Sequence, residues 1–521
     1  MKKIALALLL ASAPSAALAG GLYVPGYGSQ GQPRAGAFVA KADDGSALYY
    51  NPAGLAKQRG TSIHLGFNFI DFDQKFQRAG VYEDWDPGNG GTPPDYIGEP
   101  FAAQEDNATP AVGFGGFQGI PTFAVVSDLG GKSPVVLAIG LIAEHGFPER
   151  EYGEAYLADG SFSDPSVAPP PGRYDILEQD VSAAFPSIGA GYSIMDKLDV
   201  GLRVSWGFAG TKGTTQLWGI RNYEEDVRSE GLFAVDAHDY FIPAAAAGVL
   251  YRPHANIEVG AQYVTEKTAN FKGDAQAILG SNLAIGPDTP DFIEPILDQP
   301  ACEGGGTITK LKTCVDLTLP QTATVGARYV FRDPDGAERG DVEFDVQWED
   351  WSAASDVKVV VDGKSGLTGL ELNPTLIRHG FEDTYSFRLG GAYGFDVGKN
   401  QLIARAGAAY DTAAAPLSWT RLDIDGMART TLGAGLAYQM AKIRFELGGG
   451  VVLESTREVD LCNPDEDNLG CEESGVETPA ADRDRPDPAQ PLLGNPVESP
   501  FNAGRYEQGY VLLSAGATYQ F

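Results

Sequence analysis

The chain has 521 residues, a formal net charge of −32, 66 glycines and 10% aromatic residues. The negative charge excludes the basic surface that nucleic-acid binding needs, and the glycine and aromatic content favours a turn-rich β protein over a helical one. We interpret acidic runs such as NPDEDNLGCEESGVE as solvated loops, with ion binding as the alternative.

The chain begins with the pattern of a secretory signal peptide. Lys2 and Lys3 form a basic start, residues 4–10 form a short apolar core, and residues 17–19 form an A-x-A cleavage site. We therefore assign residues 1–19 to a cleaved signal peptide and expect the mature chain to leave the cytoplasm. No later apolar run reaches the roughly 18 residues that a membrane-spanning helix needs.

Residues 20–59 carry no strand pattern. They include the stretch SALYYNPAGLA, in which Asn51-Pro52 favours a turn because Pro52 pushes the preceding residue out of the helical region. Taken alone, this segment is typical of an irregular loop, so its role depends on the rest of the chain.

From residue 61 onward, apolar and polar residues alternate with period two, which is typical of strands with one apolar face. In the last stretch, RYEQGYVLLSAGATYQF, Val511, Leu513 and Tyr519 share the apolar face, opposite Gln508 and Thr518. We predict strands at residues 61–77, 111–127, 134–146, 181–194, 198–212, 239–251, 256–272, 317–331, 341–358, 383–396, 401–412, 427–439, 442–455 and 505–521.

The predicted connections alternate between short ones, such as MDK and VGKN, and long ones, such as residues 78–110 and 147–180. Soluble β-sandwiches do not alternate in this way, whereas outer-membrane barrels combine an even strand number with short periplasmic turns and long outer loops. A closed sheet also leaves no unpaired backbone edge in lipid. Residues 60–521 are therefore predicted to form an all-β, transmembrane antiparallel β-barrel of about 14 strands in the outer membrane of a Gram-negative bacterium.

A barrel of this size has a lumen too wide for its own wall side chains to fill. The small, glycine-rich residues 20–59 lie on the periplasmic side of the first strand, at the mouth of the lumen. We predict that they form a hatch that plugs it. The alternative is a disordered periplasmic tail.

Five segments carry a more specific signal. They are GSQGQPRAGAFVAKADDGSALYYNPAGLA near the N-terminus, LTLPQTATVGARYVF at 317–331, DVEFDVQWEDWS at 341–352, DTYSFRLGGAYGF at 383–395 and RTTLGAGLAYQM at 429–440. Together they cover most of the barrel and the whole N-terminal segment. They resemble the FadL family of outer-membrane transporters for long-chain fatty acids and related hydrophobic compounds, while the long loops resemble it only weakly.

The resemblance implies passive uptake of a hydrophobic compound through a barrel with an internal hatch. In that family the hatch contains an Asn-Pro-Ala element, which falls on Asn51, Pro52 and Ala53 of this chain. Asn51 is expected to hydrogen-bond locally in a turn, Pro52 to stiffen it, and Ala53 to allow tight packing against the wall.

The family also has a kink in its third strand that opens the wall sideways toward the lipid. In this chain the third strand, SPVVLAIGLIAEHG, is apolar on both faces. Candidates for the lateral opening are Val136, Ala138, Gly140 and Ile142, and Gly140 is the residue best suited to a bend. No motif match fixes the position of the kink.

Alternation places charged side chains on the inner face of the predicted barrel. Four arginines lie on successive strands, Arg388, Arg405, Arg429 and Arg444, and the other inward charges are Arg203, Arg328, Glu258, Glu343, Asp345, Glu349 and Glu446. One interpretation is an ion-pair network that holds the wall and the hatch. The other is that one or more of the four arginines binds the carboxylate of a fatty acid, which suits the shape of guanidinium.

The four cysteines form two close pairs, Cys302 with Cys314 and Cys462 with Cys471, each in a loop-like segment of an exported chain. We predict one disulfide within each pair. A zinc site is disfavoured because the spacing is not CxxC and the five histidines are scattered. We predict no metal site.

No catalytic motif of the G-x-S-x-G, P-loop or HExxH type is present. The sequence therefore predicts a transporter without a cofactor and not an enzyme, with a general diffusion porin and an outer-membrane barrel enzyme as alternatives. Expected partners are a long-chain fatty acid or similar hydrophobic small molecule, outer-membrane lipid and the barrel assembly machinery. The barrel is expected to be a monomer.

Overall fold

The structure is a computed structural model that describes residues 26–82, 93–131, 134–143, 149–154, 167–217, 230–279, 293–295, 311–365, 375–424, 426–459 and 503–521. Fourteen antiparallel strands form a closed barrel, which confirms the predicted fold class. The strands are β1 Thr61–Arg78, β2 Phe117–Ser127, β3 Val135–Ile142, β4 Glu178–Met195, β5 Leu198–Leu217, β6 Gly231–His254, β7 Ile257–Val264 and Lys267–Leu279, β8 Leu311–Leu319 and Thr322–Arg332, β9 Glu338–Glu349 and Asp356–Ser365, β10 Thr375–Arg378 and Thr384–Val397, β11 Asn400–Asp411, β12 Arg429–Met440, β13 Ile443–Glu454 and Arg457–Val459, and β14 Gly504–Gln520.

The barrel closes by pairing its first strand with its last. β1 and β14 pair without a break from Ser62–Gln520 to Arg78–Gly504. Each other strand pairs with its neighbours in the chain, so no strand of the cylinder keeps a free edge along its full length. Short turns lie at the periplasmic end, at 128–131, 196–197, 255–256, 333–337, 398–399 and 441–442.

Short elements complete the described chain. Four short strands lie in the outer connections, at Gln104–Glu105, Gly113–Phe114, Arg150–Glu151 and Ile293–Pro295. The helices are α1 Gly28–Gly31, α2 Ala47–Tyr50 and the 3₁₀ turns Gln32–Arg34, Pro52–Lys57, Trp351–Ala354 and Leu417–Trp419. None of the helices in the described ranges is long and apolar enough to cross a membrane.

Side chains alternate between the outside and the lumen. On β5, Leu202 and Val204 are 65% and 66% exposed, whereas Arg203 between them is 1% exposed. Lipid solvates an apolar outer face, and the charged inner face must find partners within the lumen. This alternation places the charged residues predicted to face inward inside the barrel.

The predicted strands differ from the observed ones mainly at the outer end. β5 continues to Leu217 and β6 begins at Gly231, although the sequence predicts a loop over residues 213–238. Beyond the lipid the outer face has no need to be apolar, so the alternation that marks a strand fades there. In contrast, β3 ends at Ile142, four residues before its predicted end.

Five strands are interrupted, and the interruption of β7 changes which of its residues face the lumen. In β7, Glu258 and Gln262 are buried before the break at residues 265–266, and Lys267 and Phe271 are buried after it. The inward positions therefore switch from even to odd numbers. Strict alternation through the break would have placed Lys267 in the lipid.

A turn at the periplasmic end holds the start of β1. Asp128 accepts hydrogen bonds from the backbone N–H of Gly60 at 2.8 Å, Gly131 at 3.0 Å and Gly130 at 3.1 Å. These bonds lower the pKa of Asp128 because they stabilise the ionised carboxylate, and the bond from Gly60 has the largest effect. The turn thus fixes the point where the N-terminal segment enters the barrel wall.

The cysteines are only partly within the described residues. Cys314 lies on β8 and is disulfide-bonded. Cys302, Cys462 and Cys471 lie outside the described residues, so both predicted pairings stay predictions. A loop of roughly ten residues closed by each bridge would add about 2–3 kcal/mol to the free energy of unfolding.

Candidate functional site

The N-terminal segment lies inside the barrel. From Gly26 to Lys57 it folds as a series of single helical turns, and Phe38 and Asn51 have no exposed surface. Several wall residues that face it are glycines, because the hatch backbone approaches them closely. A Cβ atom on Gly201 would lie 2.2 Å from the carbonyl carbon of Pro52, so no other residue fits there without movement.

The Asn-Pro-Ala element makes the turn that its sequence predicts. The Asn51 side-chain oxygen accepts a hydrogen bond from the Ala53 N–H at 3.0 Å. Its amide nitrogen donates to the carbonyl of Val39 within the hatch at 2.9 Å and to that of Val249 on β6 at 3.1 Å. Asn51 therefore joins two parts of the hatch to the barrel wall.

An ionic anchor holds the other part of the hatch to β9. Arg34 donates to both carboxylate oxygens of Asp341, at 2.9 and 3.0 Å, and to Glu343 at 3.2 Å, and all three side chains are fully buried. Nearby, the backbone N–H groups of Phe38 and Val39 donate to Asp345 at 2.8 and 3.0 Å. Removal of Arg34, or of the carboxylates that it pairs with, would leave an uncompensated buried charge.

Three of the four candidate arginines pair with carboxylates inside the barrel, and two of these three also contact the hatch. Arg405 pairs with Glu446 at 2.9 Å and donates to Gln30 of the hatch at 2.8 Å. Arg444 pairs with Glu446 at 3.0 Å and with Asp44 of the hatch at 3.6 Å. Arg429 pairs with Asp411 on the neighbouring strand at 3.0 Å.

The fourth arginine, Arg388, lines a cavity between the hatch and the inner wall. Lys267, Gln262, Tyr49 and Asp345 also line this cavity. It therefore brings two cationic side chains together with the carboxylate of Asp345, a hydroxyl and an amide. The sequence pointed to Arg388 but not to Lys267, because the break in β7 reverses the alternation just before it.

The other side of the hatch packs on β3 by apolar contact. The inner face of β3 presents Val136, Ala138 and Ile142, all almost fully buried, to a cluster that contains Leu48 and Phe38 of the hatch. The hatch is therefore ionic toward β9 and apolar toward β3.

The wall beside β3 is incomplete at its outer end. β2 pairs with β3 only from Phe123–Leu141 to Ser127–Leu137. On the same side, Phe117 and Gln118 pair with the short strand Gly113–Phe114, and the Gly119 N–H donates to the carbonyl of Val112 at 2.7 Å. Within the described residues, the stretch of β2 between them, residues 120–122, has no strand partner on that side. β3 keeps its register with both neighbours through Gly140 and stops at Ile142.

The hatch closes this gap from inside. The hydroxyl of Tyr27 donates to the carbonyl of Leu141 at 2.6 Å. A second cavity at this point is lined both by Tyr27 and Ser29 of the hatch and by Leu65 and Phe123, whose side chains are exposed on the outer surface of the barrel. The cavity therefore lies between the hatch and this part of the barrel wall.

The described residues offer no group of three or more His, Cys, Asp or Glu side chains that could hold a metal ion. The arrangement consists of a plugged lumen, a partly cationic cavity and a gap in the wall. These features suit binding and passage of a molecule and contain no constellation for a covalent step.

Comparison with solved structures finds the same fold in several transporters. The chain matches a Pseudomonas aeruginosa FadL homologue with 17% identity and a TM-score of 0.65, over 96% of this chain and 100% of that one. It matches the Ralstonia pickettii toluene transporter TbuX with 14% identity and a TM-score of 0.57, over 95% and 99%. The Pseudomonas putida toluene transporter TodX matches with 16% identity, a TM-score of 0.57 and the same coverage.

A search of curated proteins finds no match to this sequence. The sequence profile described as outer membrane protein transport protein (OMPP1/FadL/TodX) matches residues 168–466, more than half of the chain. Because this profile describes transport proteins, it confirms the prediction that the protein is not an enzyme. The chain therefore belongs to the FadL/TodX family of transporters of hydrophobic compounds in the outer membrane of Gram-negative bacteria.

Proposed function

We propose that the protein takes up long-chain fatty acids, or closely related hydrophobic compounds with an anionic group, and releases them sideways through the wall beside β3. The observation that carries this proposal is the gap between β2 and the end of β3, which the hatch covers by the bond from Tyr27 to Leu141. Movement of the hatch would connect the lumen with the lipid.

The direction of release follows from the cost of hydrating an alkyl chain. Each CH₂ group transferred from an apolar environment into water costs about 0.8 kcal/mol. A path from the lumen into the bilayer avoids that cost, whereas a path through the periplasmic mouth does not. Uptake would be passive, driven by the substrate gradient and by removal of the substrate inside the cell.

The cavity beside the hatch supports an anionic substrate. Arg388 and Lys267 both line it, and a carboxylate accepts strong hydrogen bonds from guanidinium and ammonium groups. TbuX and TodX are described as toluene transporters, and toluene has no group that would pair with two cations. This difference favours a fatty acid over an aromatic hydrocarbon for the present chain.

Replacement of both cations tests the substrate class. In the variant Lys267→Met with Arg388→Gln, we expect uptake of palmitate to fall about 10–100-fold, because hydrogen bonds to charged groups contribute about 1.5–3 kcal/mol. Uptake of toluene should stay the same. Radiolabelled palmitate and toluene, supplied separately to cells that express equal amounts of protein, provide the measurement.

The matched control is Lys272→Met, which removes an exposed lysine from the same strand. Equal losses of palmitate and toluene uptake in the double variant would indicate general damage to the lumen. Unchanged palmitate uptake in the double variant would show that Lys267 and Arg388 do not bind the substrate carboxylate.

The filled lumen disfavours the alternative of a general diffusion porin. Liposomes that contain the protein should not swell in isotonic sugar solutions, whereas porin liposomes swell. The expected partners are the hydrophobic substrate, the outer-membrane lipid that receives it and the machinery that assembles the barrel. The protein is expected to act as a monomer, because the hatch, the cavity and the gap beside β3 all belong to one chain.

A further inference from the structure

The cavity at the gap beside β3 contains a histidine. His64, on the inner face of β1, lines this cavity together with Asp44 and Ser46 of the hatch. The register partner of His64 on β2 is Ala124, which also pairs with Gly140 of β3. His64 therefore lies in the same cross-strand row as Gly140, one row before the pairing of β2 with β3 ends.

Both ring nitrogens of His64 face hydroxyl groups. Nε2 lies 2.9 Å from Oγ of Ser62, and Nδ1 lies 3.0 Å from Oγ1 of Thr518. A hydroxyl group both donates and accepts hydrogen bonds, and it rotates to suit its partner. The neutral ring can therefore donate to one hydroxyl and accept from the other, while the charged ring can donate to both. His64 can gain or lose a proton and keep both of its hydrogen bonds.

The two carboxylates that line the same cavity have partners that favour the ionised form. Asp44 accepts a hydrogen bond from the side-chain amide of Gln30 at 2.9 Å. Glu446 pairs with Arg405 at 2.9 Å and with Arg444 at 3.0 Å. Protonation of either carboxylate would weaken these contacts. Neither carboxylate is therefore as well placed as the imidazole to exchange a proton.

The charged groups that face His64 belong to two elements. They are Asp43 and Asp44 of the hatch and Arg444 and Glu446 of β13. The strands on either side of β1 place the hydroxyl of Thr518 and the methyl group of Ala124 in the same row as the ring. The imidazole thus lies between an ionic network and the gap in the wall.

A fatty acid that leaves through this gap must lose its charge. An isolated ionised carboxylate is far more costly to transfer into hydrocarbon than a neutral polar group. At pH 7 a carboxylic acid with a pKa of about 4.3 is neutral in only about one molecule in 500. Lateral release of the anionic form therefore needs a proton at the point of exit.

We propose that His64 supplies this proton. The imidazolium N–H transfers its proton to a carboxylate oxygen of the substrate, which leaves a neutral imidazole and a neutral carboxylic acid. The neutral acid enters the lipid, and the imidazole takes a new proton from periplasmic water. His64 is suited to this return step because it lies three residues after the periplasmic start of β1, at Thr61, and keeps part of its surface exposed. The inference rests on the proposed function for the lateral route and for the acidic substrate.

The hatch controls access to His64. A Cβ atom on Gly45 of the hatch would lie 2.7 Å from Cδ2 of His64 and 2.8 Å from Cβ of Ala124, so the glycine backbone packs directly against the ring. Movement of the hatch away from the gap would also remove Gly45 from the ring. The proton donor and the exit would then become accessible to the substrate together.

The variant His64→Gln tests the transfer, because glutamine can still bond to the two hydroxyls but does not titrate. Initial uptake of radiolabelled palmitate is compared with that of 1-hexadecanol, which has the same chain length and no charge. The compounds are supplied separately at pH 6, 7 and 8 to cells that express equal amounts of protein, and uptake by cells without the protein is subtracted. At pH 7 we expect palmitate uptake to fall at least about tenfold and hexadecanol uptake to stay the same.

The pH profile separates proton transfer from a packing role. In His64→Gln the protein must wait for palmitate that is already neutral, so uptake should rise about tenfold for each unit decrease in pH. The wild-type profile should be less steep, since an imidazole titrates near neutral pH. A second variant, His64→Ala, leaves space for a free imidazole molecule, and added imidazole should restore its palmitate uptake.

The matched control is His254→Gln, which removes an exposed histidine from the periplasmic end of the barrel and should change neither uptake. Equal losses of palmitate and hexadecanol uptake in a folded His64→Gln barrel would overturn the proposal, because they would indicate a packing role. Unchanged palmitate uptake and an unchanged pH profile would also overturn it. If the wild-type protein takes up neither compound, the proposed function fails as well, whereas uptake of both that ignores His64 removes only the proton transfer.

Discussion

Deletion of residues 20–57 is expected to leave a folded barrel that conducts ions. The sheet closes through the unbroken pairing of β1 with β14, and the first of these strands begins after the deleted segment, at Thr61. Without the hatch, water reaches the charged inner face, so its carboxylates and arginines become solvated instead of buried. A fourteen-stranded lumen is wide enough for water and ions, and we expect conductance in planar bilayers about tenfold or more above that of the full chain.

Heat modifiability on gels and circular dichroism in detergent show whether the shortened barrel has folded. A folded barrel with the low conductance of the full chain would contradict the assignment of these residues as the plug. A shortened chain that fails to reach the membrane would assign them a structural role in assembly instead.

The variant Arg34→Met is expected to release the hatch from β9. Arg34 is fully buried and pairs with Asp341 and Glu343, so its loss leaves two carboxylates without their main partner. Removing one side of a buried pair costs about 3–5 kcal/mol. We therefore expect the undocked fraction of the hatch to rise about a hundredfold or more, seen as channel openings in single-channel recordings.

The matched control is Arg59→Met at the end of the same segment. Arg59 is exposed and donates only to the carbonyls of Ala56 and Gln58 among its described bonds. It should leave the recordings unchanged. Equal opening in both variants, or none in a folded Arg34→Met barrel, would show that the ionic anchor does not hold the hatch.

The strands and the inward charges could be predicted because lipid imposes one rule on every membrane-spanning segment. Apolar residues such as Leu202 must point outward, and charged residues such as Arg203 must point inward. The rule fails where lipid no longer acts, as in the outer ends of β5 and β6. It also fails at the break in β7, which moved Lys267 from the predicted outer face to the lumen.

The partners within the lumen could not be predicted from one sequence. The resemblance placed the Asn-Pro-Ala turn in the hatch, and its local bond from Ala53 to Asn51 followed from the residue types. That Arg34 would meet Asp341, more than 300 positions later in the chain, depends on where the hatch lies in the barrel. The connection between β11 and β12 likewise has no periodic signal, so its ion pair from Arg421 to Asp175, just before β4, could not be predicted.

The hatch must move before a substrate can pass, and a disulfide between the hatch and the wall would prevent that movement. A Cβ atom on Gly189 of β4 would lie 2.4 Å from the Leu48 side chain, and the nearest backbone atom, the carbonyl oxygen of Leu202, is 3.4 Å away. The double variant Leu48→Cys with Gly189→Cys should therefore form a bridge without distorting the wall. Uptake of radiolabelled palmitate is measured before oxidation, after it and after reduction, with wild-type protein and each single variant as controls.

We expect uptake by the oxidised double variant to fall at least about tenfold and to return when the bridge is reduced. The controls should keep their uptake in all three conditions. Unchanged palmitate uptake in a barrel whose bridge is complete by mass spectrometry would contradict the account, because the substrate would then pass while the hatch stays in place.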